Sequence, residues 1–135
     1  MSNSNSTLRI LFVDDDPRIG ASLRRSFRHY DVDFLVATHS TQGVCDAIVQ
    51  RPDLIITDLQ MPYISGEGLI DTLAANPMLA GTPILVVTGR WGAKLTSRMK
   101  RGGVRELLHK PFEFEDLKQA IEAIFPLERK DLSEV

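Results

Sequence analysis

A chain of 135 residues fits one domain of ordinary size, and 43% hydrophobic with 25% charged residues supplies enough apolar content to bury a core, which excludes a disordered chain. The formal net charge of −2 gives no global field toward nucleic acid or an anionic membrane, so binding to either would need a local patch. No run of about 18 apolar residues occurs, so no helix is expected to cross a bilayer, and a soluble, cytoplasmic protein is the expectation.

In chain order, residues 1–7 are rich in Ser and Asn and lack the basic start and apolar stretch of a secretory signal, so a disordered leader is expected. Unbroken apolar runs follow at 8–13, 34–37, 54–57, 84–88 and 107–109, each rich in Val, Ile or Leu, as strands covered on both faces require. Between them apolar residues recur at helical spacing. Ile19, Leu23 and Phe27 form the first stripe, and Val44, Ala47 and Ile48 the second. Leu69, Ile70 and Leu73 form the third, Leu95 and Met99 the fourth, and Leu117, Ala120, Ile121 and Ile124 the fifth.

Asp16 before Pro17 signals the start of the first helix, because an aspartate accepts an orphan N–H and proline suits the first helical position. Ser40 signals the second start, and Gly102 with Gly103 ends the fourth helix. Cys45, the single cysteine, stands among Val44, Ala47 and Ile48, which predicts a buried, reduced thiol and an intracellular chain. One domain is expected over residues 8–126, with 127–135 as a charged C-terminal tail, either a frayed helix end or a linker stump.

Five repeats of strand then helix predict an α/β fold: a parallel sheet with right-handed crossovers, helices on both faces, and ligands beyond the carboxyl ends of the strands. Polar residues gather at those ends: Asp14, Asp15 and Asp16 after the first run, Asp58 after the third, Thr88 at the end of the fourth and Lys110 after the fifth. Clustered carboxylates raise one another's pKa unless a cation intervenes. Mg²⁺, held by one or two carboxylates plus phosphate oxygens, suits so sparse an acidic site, whereas Zn²⁺ would want His or Cys. Lys110 adds a compact cation and Thr88 a hydroxyl, so the group reads as a site for an anion bridged to a metal. An aspartate there can attack phosphorus and become an aspartyl phosphate, with metal and lysine neutralising the equatorial oxygens.

The runs LFVDDDP, LIITDLQMP, ILVVTG and LLHKPF, in this order, resemble the signature of response regulator receiver domains in two-component phosphorelay signalling, and the likeness extends over nearly all of residues 8–125. The resemblance implies a single doubly wound, flavodoxin-like five-stranded parallel sheet in the order 2-1-3-4-5. It makes Asp58 the phosphoacceptor, Asp15 and Asp58 direct Mg²⁺ ligands, Asp14 a ligand through metal-bound water, and the Gln60 backbone carbonyl a further ligand. Thr88 and Lys110 would hold the phosphoryl oxygens, and the Lys110–Pro111 bond would be cis. The implied partners are a sensor histidine kinase or phosphotransfer protein carrying phosphohistidine. An effector, or a second copy, would meet the fourth-helix and fifth-strand face, with no direct contact to nucleic acid or membrane. No enzymatic activity is implied beyond the domain's own phosphorylation and dephosphorylation. Leu107 departs from the family, which usually carries an aromatic switch residue there, and this puts the usual readout in doubt. Gly89 leaves room for a phosphodonor, while Arg90 is long enough to reach over the site and tune the lifetime of the phosphoryl group.

Each residue also has a plainer reading. Asp16 suits a helix cap better than a metal ligand, and His29, His39 and His109 share no metal-binding spacing. The basic runs Arg18, Arg24, Arg25, Arg28 and, after Trp91, Lys94, Arg98, Lys100, Arg101 are solvated faces or partner-docking surfaces. Two other functions remain open: a receiver-like interaction module that is never phosphorylated, and a haloacid-dehalogenase-like phosphatase using Asp14 of an Asp-x-Asp motif as nucleophile.

Overall fold

The structure, a computed structural model, describes residues 7–60, 66–90 and 92–130. The leader residues 1–6, Trp91, the Met61 and Pro62 that close one of the motif runs, and residues 131–135 of the charged tail therefore lie outside the described residues. The strands are β1 (Leu8–Val13), β2 (Val32–Ala37), β3 (Leu54–Asp58), β4 (Ile84–Thr88) and β5 (Val104–His109). The helices are α1 (Pro17–Phe27), α2 (Ser40–Gln50), α3 (Gly66–Ala75), α4 (Ala93–Arg101) and α5 (Phe114–Glu122), with a 3₁₀ turn at Pro77–Leu79. All neighbouring strands pair in parallel, in the order β2-β1-β3-β4-β5.

The strands reach further than their apolar runs. β2 starts at Val32 because Val32 and Asp33 hold register with Leu8 and Arg9, and the Arg9 guanidinium pairs with Asp33 at 3.0 Å. β5 starts at Val104, opposite Ile84, and a register shift after that pair lets Arg105 and Glu106 enter the strand although both are charged. β3 includes Asp58 itself, opposite Val87.

Alternate strand residues feed two cores. Leu11, Val13, Ile55 and Val86 face α2, α3 and α4 through Ala47, Leu69, Leu73, Leu95 and Met99. Ile10, Phe12, Ile56, Leu85 and Val87 face α1 and α5 through Leu23, Phe27, Leu117 and Ile121. With both faces covered, β3 and β4 are buried at every position, which is why their sequences show no polar alternation.

Asp16 caps α1 as expected, accepting from the Arg18 N–H at 2.9 Å. At α2 the cap is His39, and Ser40 is instead the first helical residue, buried against the protein. Cys45 corrects another expectation, because it is exposed. At 100° per residue it points well away from the stripe of Val44, Ala47 and Ile48, so proximity in sequence to apolar residues did not bury it. The chain continues beyond α5 as an ordered segment: Leu127 packs on the α1/α5 core, the Asp31 N–H donates to the Glu128 carbonyl at 2.7 Å, and the Lys130 N–H donates to the His29 carbonyl at 3.0 Å.

Two helices come so close to the sheet that only glycine fits at the contact. A Cβ on Gly20 would lie 2.7 Å from Val36 Cγ1, and one on Gly43 would lie 2.9 Å from Val13 Cγ2. Valine is stiff at χ1 and cannot swing away cheaply. Gly43→Val is therefore expected to lower the unfolding free energy by about 1–3 kcal/mol through overpacking. A urea titration should show a lower midpoint at constant slope; an unchanged midpoint would mean that α2 backs off from β1 without cost.

Candidate functional site

The site lies at the carboxyl edge of the sheet. β1 delivers Asp14 directly after its last residue, and the Asp14 N–H extends the ladder by donating to the Ala37 carbonyl at 3.1 Å. β3 delivers Asp58 as its final residue, β4 ends on Thr88, and β5 is followed by Lys110, whose N–H donates to the Thr88 carbonyl at 2.8 Å. Each candidate residue thus sits where a buried strand meets the surface, held by backbone bonds that continue the sheet.

Asp14 and Asp58 are buried, at 1% and 4% exposure, while Asp15 is exposed. One carboxylate oxygen from each of the three lies within 4.8 Å of the others. Lys110 Nζ donates to Asp14 Oδ2 at 2.9 Å and to Asp58 Oδ2 at 3.0 Å. The second oxygens are also engaged: Asp14 Oδ1 accepts from the Asp16 N–H at 2.9 Å, and Asp58 Oδ1 accepts from the Gln60 N–H at 3.1 Å. Thr88 is fully buried and its hydroxyl oxygen accepts from the Arg90 N–H at 3.0 Å.

The electrostatics follow from this crowding. Burial pushes the Asp14 carboxyl above the ordinary aspartate range, against the lowering effect of the Asp16 N–H and of Lys110, and the neighbouring Asp58 pushes it the same way. For Lys110 burial opposes the charge, but hydrogen bonds and attraction from Asp14 and Asp58 together outweigh it, so its pKa is raised. Asp16 stands apart, with its pKa lowered by the Arg18 side chain that it binds, in keeping with a capping role.

The expected set is thus largely one cluster. Asp14, Asp15, Asp58 and Lys110 meet directly, and Thr88 is joined to them through the Lys110 backbone. Gln60 follows with its N–H on Asp58, and its side-chain oxygen lies near Gly89. Three carboxylates and no sulfur or imidazole make an all-oxygen donor set that fits a hard divalent cation. Lys110–Pro111 is cis. Leu107 sits opposite Val86 on β5, half-buried against the α2–α4 core.

Sequence alone did not reveal that Lys110 rests on both buried carboxylates. It also missed the groove of about 900 Å³ beside them, between α1 and the turn from β5 into α5. Ile19, Leu23, Phe112 and Phe114 supply its apolar surface, and Asp16 and Lys110 bring it up to the acidic cluster. The alternating Phe112 and Phe114 were its only local signal.

Comparison with known proteins shows what the chain as a whole is similar to. Transcriptional regulatory protein PrrA of Mycobacterium leprae is 29% identical over 124 residues, covering 92% of this chain and 52% of that protein. Protein PilH of Pseudomonas aeruginosa is 29% identical over 123 residues, covering 86% of this chain and 96% of that protein. The chain spans about half or less of the length of several curated relatives that it matches, PrrA among them. The chemotaxis response regulator CheY4 of Vibrio cholerae shares the fold, with a TM-score of 0.83 at 23% identity over 89% of this chain and all of that one. The response regulator receiver domain family matches residues 10–122, from the first buried strand to the last helix, and the chain belongs to that family of two-component signalling domains.

Proposed function

We propose that Asp58 is the phosphoacceptor of this receiver domain. The observation that carries the reading is a buried carboxylate at the end of β3 that faces two further aspartates and shares Lys110 with one of them. An Asp58 carboxylate oxygen attacks the phosphorus of a phosphohistidine donor. The new P–O bond forms as the P–N bond breaks, and the electron pair leaves on the imidazole nitrogen. Mg²⁺ held by Asp15, Asp58 and the Gln60 carbonyl, and by Asp14 through metal-bound water, would offset the charge on the phosphoryl oxygens. Lys110 turns from its carboxylates to the incoming oxygens, and the Thr88 hydroxyl donates to them. The domain would catalyse only its own phosphorylation and dephosphorylation.

The donor would be a sensor histidine kinase or phosphotransfer protein. Exposed Lys94, Arg98, Lys100 and Arg101 on α4 offer a face for an effector or a second copy. Among the described residues no helix is long and apolar enough to cross a membrane, and a cytoplasmic site of action fits this chemistry. Family membership favours this reading over a phosphatase with Asp14 as nucleophile.

Incubation with phosphoramidate and Mg²⁺ should add one phosphoryl group, found by mass on Asp58, and Asp58→Asn should stay unlabelled. A label that persists in Asp58→Asn would refute the assignment, and an unmodified wild type would point to a silent module. Lys110→Ala leaves Asp14 and Asp58 buried without their cation. It should lower metal-free stability by about 1–3 kcal/mol, with part of the loss restored by Mg²⁺ in a denaturant titration.

The raised pKa of Asp14 sets a pH dependence. The folded protein keeps that proton at a pH where the unfolded chain has lost it. This group's stabilising contribution is therefore full below the ordinary aspartate pKa and is lost as pH rises through the raised value. Mg²⁺ needs the carboxylate and shows the opposite trend. Its affinity should begin to fall, on acidification, at a pH above the ordinary aspartate range, and calorimetric titrations across that interval would reveal it.

A further inference from the structure

Residues 127–130 form a strap whose attachments converge on one side chain, Tyr30. Tyr30 and Arg129 make a single antiparallel bridge, flanked by the Asp31 N–H to Glu128 carbonyl bond at 2.7 Å and the Lys130 N–H to His29 carbonyl bond at 3.0 Å. The Arg129 guanidinium carbon lies 5.3 Å from the Tyr30 ring centre, and its Nη1 donates to the Tyr30 hydroxyl at 3.3 Å. Lys118 of α5 places its ammonium 5.8 Å from the same ring centre. Tyr30 is 7% exposed, so strap and α5 together cover a ring that would otherwise stand at the surface.

The ring is also part of an aromatic chain that leads back toward the site. Tyr30 contacts Phe114 at 6.0 Å between centres, Phe114 meets Phe27 edge-on at 4.9 Å, and Phe27 stacks on Phe34 at 4.9 Å. Phe114 is the first residue of α5, four residues after Lys110, and the intervening turn forms one wall of the α1 groove. Lys110 in turn is held at its far end by Asp14 and Asp58. The side chain that must change partners when Asp58 gains a phosphoryl group is thus tied by a short turn to the ring on which the strap rests.

We propose that the strap at 127–130 is a readout element of this domain, docked on Tyr30 when Asp58 is unmodified and loosened when Asp58 is phosphorylated. The inference rests on Asp58 being the phosphoacceptor. Redirection of Lys110 draws the turn after β5 toward the sheet edge, Phe114 moves with it, and Tyr30 loses the contact that supports Arg129. Leu107, lacking a ring, gives β5 no aromatic switch, whereas this route uses aromatic rings that the chain does have. A strap released from the α1–β2 turn uncovers the Tyr30 ring.

Amide hydrogen exchange tests this on the full chain. Protein with Mg²⁺ alone is compared with protein held phosphorylated by Mg²⁺ and phosphoramidate, the site of modification being read by mass in the same samples. Exchange at the Asp31 and Lys130 amides should rise about tenfold on phosphorylation, a coupling of ordinary allosteric size, and should not change in Asp58→Asn. Arg129→Ala should exchange fast at both amides with or without phosphoramidate, while its Asp58 is still modified. If Asp58 carries the phosphoryl group and both amides exchange at their former rates, the strap is no readout and the phosphoacceptor assignment stands. If no phosphoryl group reaches Asp58, both fall.

Discussion

The ammonium of Lys110 between two buried carboxylates is the contact on which the acidic end of the sheet depends. Asp14 and Asp58 come from strands far apart in sequence and are brought side by side by the order β2-β1-β3-β4-β5. Without a cation, two such charges in a poorly solvated place would repel, and one would hold a proton. Lys110 offsets that repulsion, at the cost of its own desolvation. In the proposed reaction its bonds would give way on both sides, since a divalent ion would take the carboxylate oxygens and phosphoryl oxygens would take the ammonium. The unmodified protein thus holds three charges within hydrogen-bonding reach at one edge of the sheet.

The sheet makes this possible by being featureless. β3 and β4 are buried on both faces and contain almost nothing polar until their last residues, so backbone ladders carry Asp58 and Thr88 to one edge in fixed register. Gly43 lets α2 lie against Val13, the residue just before Asp14, and Gly20 lets α1 lie against Val36 on the neighbouring strand. Close helix packing thereby reaches the site indirectly, through the strand that ends in the acidic pair.

The local pattern revealed the middle of every strand and the residues at their carboxyl ends, because continuous apolar runs and isolated acids are properties of neighbours in sequence. It failed where burial depends on direction or on distant partners. Val32 and Asp33 join an edge strand whose exposure hides it from an apolar-run criterion, and Cys45 lies off the stripe that its neighbours define. Lys110 could be assigned to the site, but not to its two carboxylates, since those bonds span 96 and 52 residues. The strap was least legible of all. A charged segment after the last helix looks like a loose end until Arg129 is seen on Tyr30, 99 residues away.

Cys45 bears on how the protein behaves in the hands of an experimenter. It is the chain's single thiol, and it lies on the exposed side of α2. A disulfide can then form only between molecules, so covalent dimers in an oxidising buffer would report thiol chemistry and not a native contact. The same isolation makes the thiol a unique attachment point for a fluorophore or spin label, placed without disturbing a single carboxylate of the acidic cluster.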